Sequence, residues 1–454
     1  MDSTRNTMEL VLTPGSSGSG PSAPDRLGAP AGAEPAAASA SVLRTRGRCR
    51  FCDTPLRHSV ADLGMSPMAN AYRRPDETDR MEPFYPLRAY VCEHCFLVQL
   101  EEFETPQQIF SEYAYFSSYS ESWLRHAQRY VDDVIARFGL GAHSKVVEIA
   151  CNDGYLLRWF KPRGVQVFGV EPAANVAQAA RALGIDVEVS FFGVDTAREL
   201  LAAGQAADLM VANNVVAHVP DLNDFVAGFK LLLKPAGVVT FEFHHVLNLL
   251  QHNQFDTIYH EHFCYHSLGT FSRILAHHGL AVFDVEELTT HGGSLRVYAQ
   301  HVGTGVQPQS PRVASLLERE REYGLDRLDA YVAFDARVKR MKRRFLQFLI
   351  DAKEAGKTIA AYGAPAKGNT LLNYCGVRSD FIDYTVDLNP QKQNRFLPGT
   401  GIPILSPERV AATRPDYLLV LPWNLFDEIA EQMKHIREWG GQFLVLIPEV
   451  RVIR

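Results

Sequence analysis

Two separate stretches of this chain repeat one pattern, a short apolar run that ends in a polar turn and enters a helix. That alternation marks a parallel α/β sheet. In the first stretch VVEIA (146–150) and VQVFGVE (165–171) read as buried strands, followed by helices over YLLRWF and NVAQAARALG, the second closing at Gly184. DLMVANNVV (208–216), VVTFEF (238–243) and SLRVYAQH (294–301) supply further strands. In the second stretch TIAAYGA (358–364) enters a glycine-containing turn and the helix NTLLNYCG, closed by Gly376. FIDYTVDLNP, PDYLLVLPWN and GQFLVLIPEV supply three more strands there, and a charged helical segment, 313–353, bridges the two stretches. At 454 residues the chain exceeds one typical core, so separate domains are expected.

Residues 1–45 are mostly Ala, Gly, Ser and Pro. They bury too little apolar surface to offset ordering entropy, which predicts a disordered tail. Two Cys-x-x-Cys units follow, Cys49/Cys52 and Cys92/Cys95. Four thiolates on two tight knuckles complete a tetrahedral zinc site whatever the spacer between them, and four sulfurs leave no open position for water, so this zinc is structural. His94 lies inside the second knuckle, but four cysteines suffice. The expected fold is therefore α/β, with a small zinc-binding module at 46–105, a central Rossmann-like domain at 106–312, a helical linker at 313–353 and a second Rossmann-like domain at 354–454.

The formal net charge of −6 gives no global attraction to nucleic acid. No stretch approaches the roughly 20 apolar residues needed to span a bilayer, and the N-terminus lacks the basic start and apolar core of a secretory signal. Neither nucleic acid nor membrane is an expected partner, and the expected location is the cytoplasm. Oligomeric state is not legible.

Ligands of α/β sheets sit at the carboxyl ends of the strands, and four polar clusters fall there. The first is Glu148-Ile-Ala-Cys-Asn152-Asp153-Gly154, whose turn departs from GxGxxG because Ile149 and Cys151 occupy the earlier glycine positions. Glu171, at the end of the next strand, can bind two ribose hydroxyls of either NAD or S-adenosylmethionine. The acidic-polar turn favours the cationic, phosphate-free cofactor. Asn213 and Asn214 end a third strand and can contact the same cofactor, with His218 just beyond.

The densest cluster is Phe255-Asp-Thr-Ile-Tyr259-His260-Glu261-His262, within a stretch that also holds His244, His245, His252 and His266. It combines a phenol, a carboxylate and an imidazole whose ordinary pKa suits proton abstraction. A second metal site and a plain polar loop are the competing readings. In the last domain, YGAPAKGNT carries Lys367 and Asn369 beside a helix N-terminus, an anion cradle although the Gly-Lys-Ser/Thr order of a P-loop is absent. Arg395 and Asn424 can close over the same phosphates or a base.

Taken together, the paired cysteines, EIACNDGYLL, IYHEH, and YGAPAKGNT with the later PGTGIPI and WN elements resemble the three-domain sugar C-methyltransferases of deoxysugar biosynthesis. The resemblance spans residues 46–454. It implies methylation of a carbon beside the ketone of a TDP-linked keto-deoxysugar, usually carbon 3, with S-adenosylmethionine as donor. It further implies that Tyr259, Glu261 and His262 form the active-site run with His262 as base, and that His218 and Tyr113 face the sugar. Ala150 departs from the family's cofactor turn, which more often has glycine. The expected chemistry is removal of the carbon-bound proton by His262, with Glu261 orienting or tuning the imidazole and Tyr259, with His218, donating to the enolate oxygen. The alternatives are an NAD-dependent nucleotide-sugar oxidoreductase or epimerase, and a non-catalytic nucleotide-sugar-binding scaffold.

Overall fold

The computed structural model describes residues 47–110, 116–304 and 306–454. The disordered-tail expectation lies outside them, as does Tyr113. Three sheets carry the chain. Strands β1 (His58–Ser66), β2 (Tyr85–Val91) and β3 (Val98–Leu100) form an antiparallel meander beside the cysteine knuckles. None of these is among the expected strands. β1 is interrupted by register shifts at Ser59/Ala61 and Asp62/Met65, which break the period-two pattern a reader would look for.

The central sheet begins with β4 (Lys145–Ile149), β5 (Gln166–Val170) and β6 (Asp186–Glu188), then β7 (Ala207–Asn213) and β8 (Leu233–His244), all parallel. Next, β9 (Cys264–Tyr265) leaves this sheet and pairs with β3, completing the first one. The hairpin β10 (Leu280–Leu288) and β11 (Ser294–His301) then adds antiparallel to β8. The order β10-β11-β8-β7-β4-β5-β6 places a switch point between β4 and β7, where successive connections run to opposite sides and a crevice opens.

The last sheet has the order β14-β13-β12-β15-β16-β17, from β12 (Ile359–Tyr362), β13 (Thr385–Val386), β14 (Ile404–Leu405), β15 (Tyr417–Val420), β16 (Gln442–Val445) and β17 (Arg451–Ile453). Only β17 is antiparallel. Its switch point lies between β12 and β15. Both α/β units are thus doubly wound, as the alternation predicts.

The charged segment after β11 differs from expectation. It forms two helices, Pro311–Tyr323 and Leu328–Glu354, separated where Gly324 takes φ +97, a conformation that ends a helix. The second is a packed wall. Tyr331, Phe334, Val338, Met341, Phe345 and Leu349 recur every three or four residues and share one apolar core with β1 and the C-terminal sheet.

Candidate active site

At the knuckles, Cys49 and Cys95 bring their sulfurs to 3.5 Å, as do Cys52 and Cys92, and all four Sγ atoms lie within 4.8 Å of one another. A tetrahedral zinc with Zn–S of about 2.3 Å spaces its sulfurs by about 3.8 Å, so the cluster has the size the ion needs. The turns are tight because Asp53 and Phe96 each adopt φ +59. Backbone and amide donors point at the sulfurs, His94 N to Cys92 and Gln99 Nε2 to Cys49. These favour thiolates, and His94 itself is exposed, outside the cluster.

Each knuckle also grips a histidine-bearing segment of the central domain. From the first, Arg50 Nη1 donates to the Pro220 carbonyl at 3.1 Å, and the Arg50 and Phe51 carbonyls accept from Asn223 Nδ2, just after His218. From the second, the chain runs directly into β3, whose partner β9 starts two residues after His262.

One cavity of about 810 Å³ opens at the carboxyl ends of β4, β5, β7 and β8 and extends to the carboxyl end of β12. Asn152, Glu171, Asn213, Asn214, His218, Tyr259, Glu261, His262 and Lys367 all line it. Sequence positions far apart are therefore gathered at a single site.

On its central-sheet side, Glu171 Oε2 accepts from Asn152 N and Oε1 from Ala173 N, both at 2.9 Å. Burial raises this carboxyl's pKa, and those two donors oppose the rise. The turn after β4 is wound through left-handed residues, Ala150 at φ +57, Asn152 at +50 and Gly154 at +77. A Cβ on Gly154 would meet Ile185 Cδ1 at 2.6 Å, so only glycine lets the turn sit this close to the neighbouring strand. Glu148, Asp153 and Gly154 stand behind the lining. Asp153 instead fixes the loop that precedes the helix Glu121–Phe138, accepting from Ser118 N, while Asn152 Oδ1 accepts from Ser117 N. Burial, with Asp153 and Glu171 nearby, drives the Glu148 carboxyl well above its ordinary range.

The buried Asn213 Oδ1, Asn214 Nδ2 and Ser190 Oγ have no protein partner. Orphaned polar atoms on a cavity wall fit a ligand that brings its own donors and acceptors, and a ribose carboxylate beside them suits an adenosyl cofactor. Sequence reasoning missed Ser190, Trp123 and His291 on this wall. Trp123 stacks near His126, Tyr155 and His291, a grouping that only the fold assembles.

Across the cavity, His262 Nδ1 donates to the Thr257 carbonyl at 2.9 Å, because a carbonyl can only accept. That fixes the proton on Nδ1 and leaves Nε2 as acceptor for the Tyr259 hydroxyl at 2.8 Å. Burial, with the neighbouring His218, His244 and His291 rings, holds the His262 pKa well below its ordinary value, so the ring is neutral and Nε2 carries a lone pair. The His218 ring lies 4.7 Å from it, edge-on, and burial pushes His218 down to about 4. Glu261 is not what orients the imidazole. Its Oε1 accepts from Asn70 Nδ2 at 2.7 Å, and Thr257 and Tyr259 hold the His262 ring instead. His260 turns away to the Pro86 carbonyl, which removes the paired-histidine metal reading.

On the C-terminal side, Lys367 follows β12 at the start of the helix Ala366–Cys375 and bonds Asn424 Oδ1 at 2.9 Å, with Trp423 4.8 Å below it. Burial lowers its pKa, opposed by Asp256. Asp256 is itself fully buried and accepts from Trp423 Nε1 at 2.7 Å, so it joins the two domains and is no solvated neighbour. Three expectations are corrected. Arg395 does not line the cavity, and the cation from that turn which does is Lys392. Asn369 faces the zinc module, donating to the Ala69 carbonyl. Asn424 acts through Lys367 and is not itself on the wall.

Three family models match consecutive parts of the chain: a zinc binding domain over 49–110, a methyltransferase domain over 123–285 and a C-methyltransferase C-terminal domain over 289–448. The C-methyltransferase NovU of Streptomyces niveus is 36% identical over 412 residues, 91% of this chain and 98% of its own length. The chain belongs to the C-methyltransferase family. A ubiquinone biosynthesis O-methyltransferase from Chelativorans sp. (strain BNC1) matches more narrowly, 28% identical over 24% of this chain and 46% of its own length. Among solved structures, an S-adenosylmethionine-dependent methyltransferase from Mesorhizobium loti aligns over 40% of this chain and 98% of its own, at 17% identity and a TM-score of 0.31.

This C-methyltransferase is an enzyme that takes its methyl group from S-adenosylmethionine, and its cysteine quartet is a zinc site. The oxidoreductase and scaffold alternatives fall with the family assignment. No helix among the described residues is long and apolar enough to cross a membrane.

Proposed function

We propose that this C-methyltransferase acts on a TDP-linked keto-deoxysugar, at carbon 3 beside the ketone, through an enolate. The observation that carries this reading is the neutral, tautomer-fixed His262 in the same cavity as Glu171 and Lys367. Glu171, Asn213 and Asn214 hold the cofactor, whose sulfonium supplies an electrophilic methyl. Lys367 and Lys392, with the helix N-terminus beside them, take the diphosphate.

A sugar lying between these two ends brings its carbon-bound hydrogen to His262 Nε2. The Tyr259 hydroxyl, which caps that nitrogen at rest, is then free to donate to the developing enolate oxygen, with His218 at its side. Such donors are what make an α-hydrogen acidic enough for an imidazole. The buried, mostly apolar walls exclude water from the nucleophilic carbon.

The test is mass spectrometry of products from a panel of TDP-ketosugars with labelled S-adenosylmethionine. One labelled methyl on carbon is expected for a 4-keto sugar, together with exchange of the carbon-3 hydrogen in deuterated water. Transfer to a hydroxyl oxygen, or no transfer to any ketosugar, would defeat the reading.

A further inference from the structure

The loop between β1 and β2 touches the other two domains in quick succession. The Ala69 carbonyl accepts from Asn369 at 2.6 Å, Tyr72 donates to the Ala364 carbonyl, and Arg73 bridges Phe396. All three ties reach the C-terminal domain. Between them, Asn70 alone reaches the central domain, donating its Nδ2 to Glu261 Oε1 at 2.7 Å inside the cavity. Because the Glu261 carboxylate can only accept, the Asn70 amide is set with its NH₂ end toward it, while the Tyr72 hydroxyl donates its one proton to the Ala364 carbonyl. Lys392 bonds the same Ala364 carbonyl at 2.9 Å and sits 5.2 Å over the Tyr72 ring.

We propose that Asn70 is a positioning residue for methyl transfer, holding Glu261 as a carboxylate that accepts a hydrogen bond from a sugar hydroxyl. This rests on the proposed function, which places the sugar in the cavity that Glu261 lines. An N–H donor stabilises only the ionised carboxyl, since a carboxylate accepts and cannot donate. Burial pushes Glu261 up to about 7, and Asn70 pulls the other way. Around it stand His218, whose ring bonds the Glu261 backbone, Tyr259 and His262 on its own segment, and Tyr72 on the loop. Elsewhere on the lining the charged groups are Glu104, Glu171, Asp221, Asp224, Lys367 and Lys392. Both histidines stay neutral near pH 7 and Tyr72 stays protonated. Asp256, at about 6, is held by Trp423 outside the lining.

The sign follows from which form Asn70 favours. Without its donor, burial acts unopposed, the Glu261 pKa rises, and the carboxylate is reached only at higher pH. The acid limb of the kcat profile therefore moves up while the alkaline plateau is kept.

The experiment is kcat against pH for the full enzyme and for Asn70→Ala, Asn70→Asp and Glu261→Gln, with calorimetry of TDP and S-adenosylmethionine binding. Asn70→Ala should lower kcat at pH 7 by roughly 10- to 100-fold with both affinities unchanged, and move the acid limb up by about one pH unit. Asn70→Asp, which sets a second carboxylate there while keeping the shape, should move it further. A loss of kcat that is even across pH, or an unmoved limb in Asn70→Asp, overturns the proposal. Glu261→Gln should abolish the limb. If it does so while the Asn70 variants match wild type, the positioning role fails alone, whereas a fully active Glu261→Gln with the limb intact sinks the reading of Glu261 itself.

Discussion

The central and C-terminal sheets are built alike, yet they present opposite chemistry at their switch points. After β4, β5 and β7 the central sheet ends in Asn152, Glu171, Asn213 and Asn214, with Glu148 and Asp153 behind them and no cation. After β12 and β15 the C-terminal sheet ends in Lys367 and the Asn424 that holds it, joined by Lys392. The strand order makes the crevice in both cases. The residues just past the strand ends set that chemistry, acidic and polar where the cationic cofactor is proposed to sit, basic where the anionic substrate is proposed.

The strongest way to sharpen this contrast is to remove the group that stands between the two edges. His262→Asn should cut turnover by roughly 10²–10⁴-fold, about 3–5 kcal/mol in the barrier, with both ligands still bound normally. Stopped turnover with unchanged binding isotherms is the expected record, and near-normal turnover would move the base elsewhere.

Next come the edges themselves. Lys367→Ala should raise KM for the nucleotide sugar by roughly 10- to 100-fold and leave S-adenosylmethionine affinity alone, since charge-assisted contacts present in ground and transition state act on binding. The mirror case is Glu171→Ala, which should weaken S-adenosylmethionine by about 1.5–3 kcal/mol and spare TDP. A variant on one edge that weakens the ligand of the other would break the division of labour. Calorimetry of each ligand against each variant checks both.

The smallest effect concerns the turn after β4. Ala150 sits at φ +57, where an L-residue carries a penalty of about 1–2 kcal/mol that glycine avoids. Ala150→Gly should raise stability by about 1 kcal/mol at most, because glycine also gains unfolded-state entropy. Thermal melts with and without cofactor measure it, and a destabilised variant would show the turn to be held by its methyl group.

These sites differ in how far they could be read from the chain alone. Glu171, Asn213 and Lys367 were legible because each lies at or shortly past the end of a strand whose apolar run and following helix are local features. The Ala150 departure was visible too, though its left-handed conformation was not. Lys392 and Arg395 lie three residues apart in one turn, and only the turn's geometry decides which cation reaches the cavity. Asn70, Trp123 and His291 carry no local signature, since their position comes from packing between distant segments. Glu261 was rightly grouped with its neighbours, but its partner comes from another domain, so its supposed contact with His262 was an inference from adjacency.

The pairing of β3 with β9 has a consequence for how the chain is made. Cys95, the last of the four thiols, precedes Cys264–Tyr265, the strand that closes their sheet, by about 170 residues. At roughly 5–20 residues per second, the knuckles wait on the order of ten seconds or more with an open strand edge. All four metal ligands are thus made before β9, so metal capture does not wait on that strand, whereas the β3–β9 pairing that ties the module to the His262 loop can form only after it.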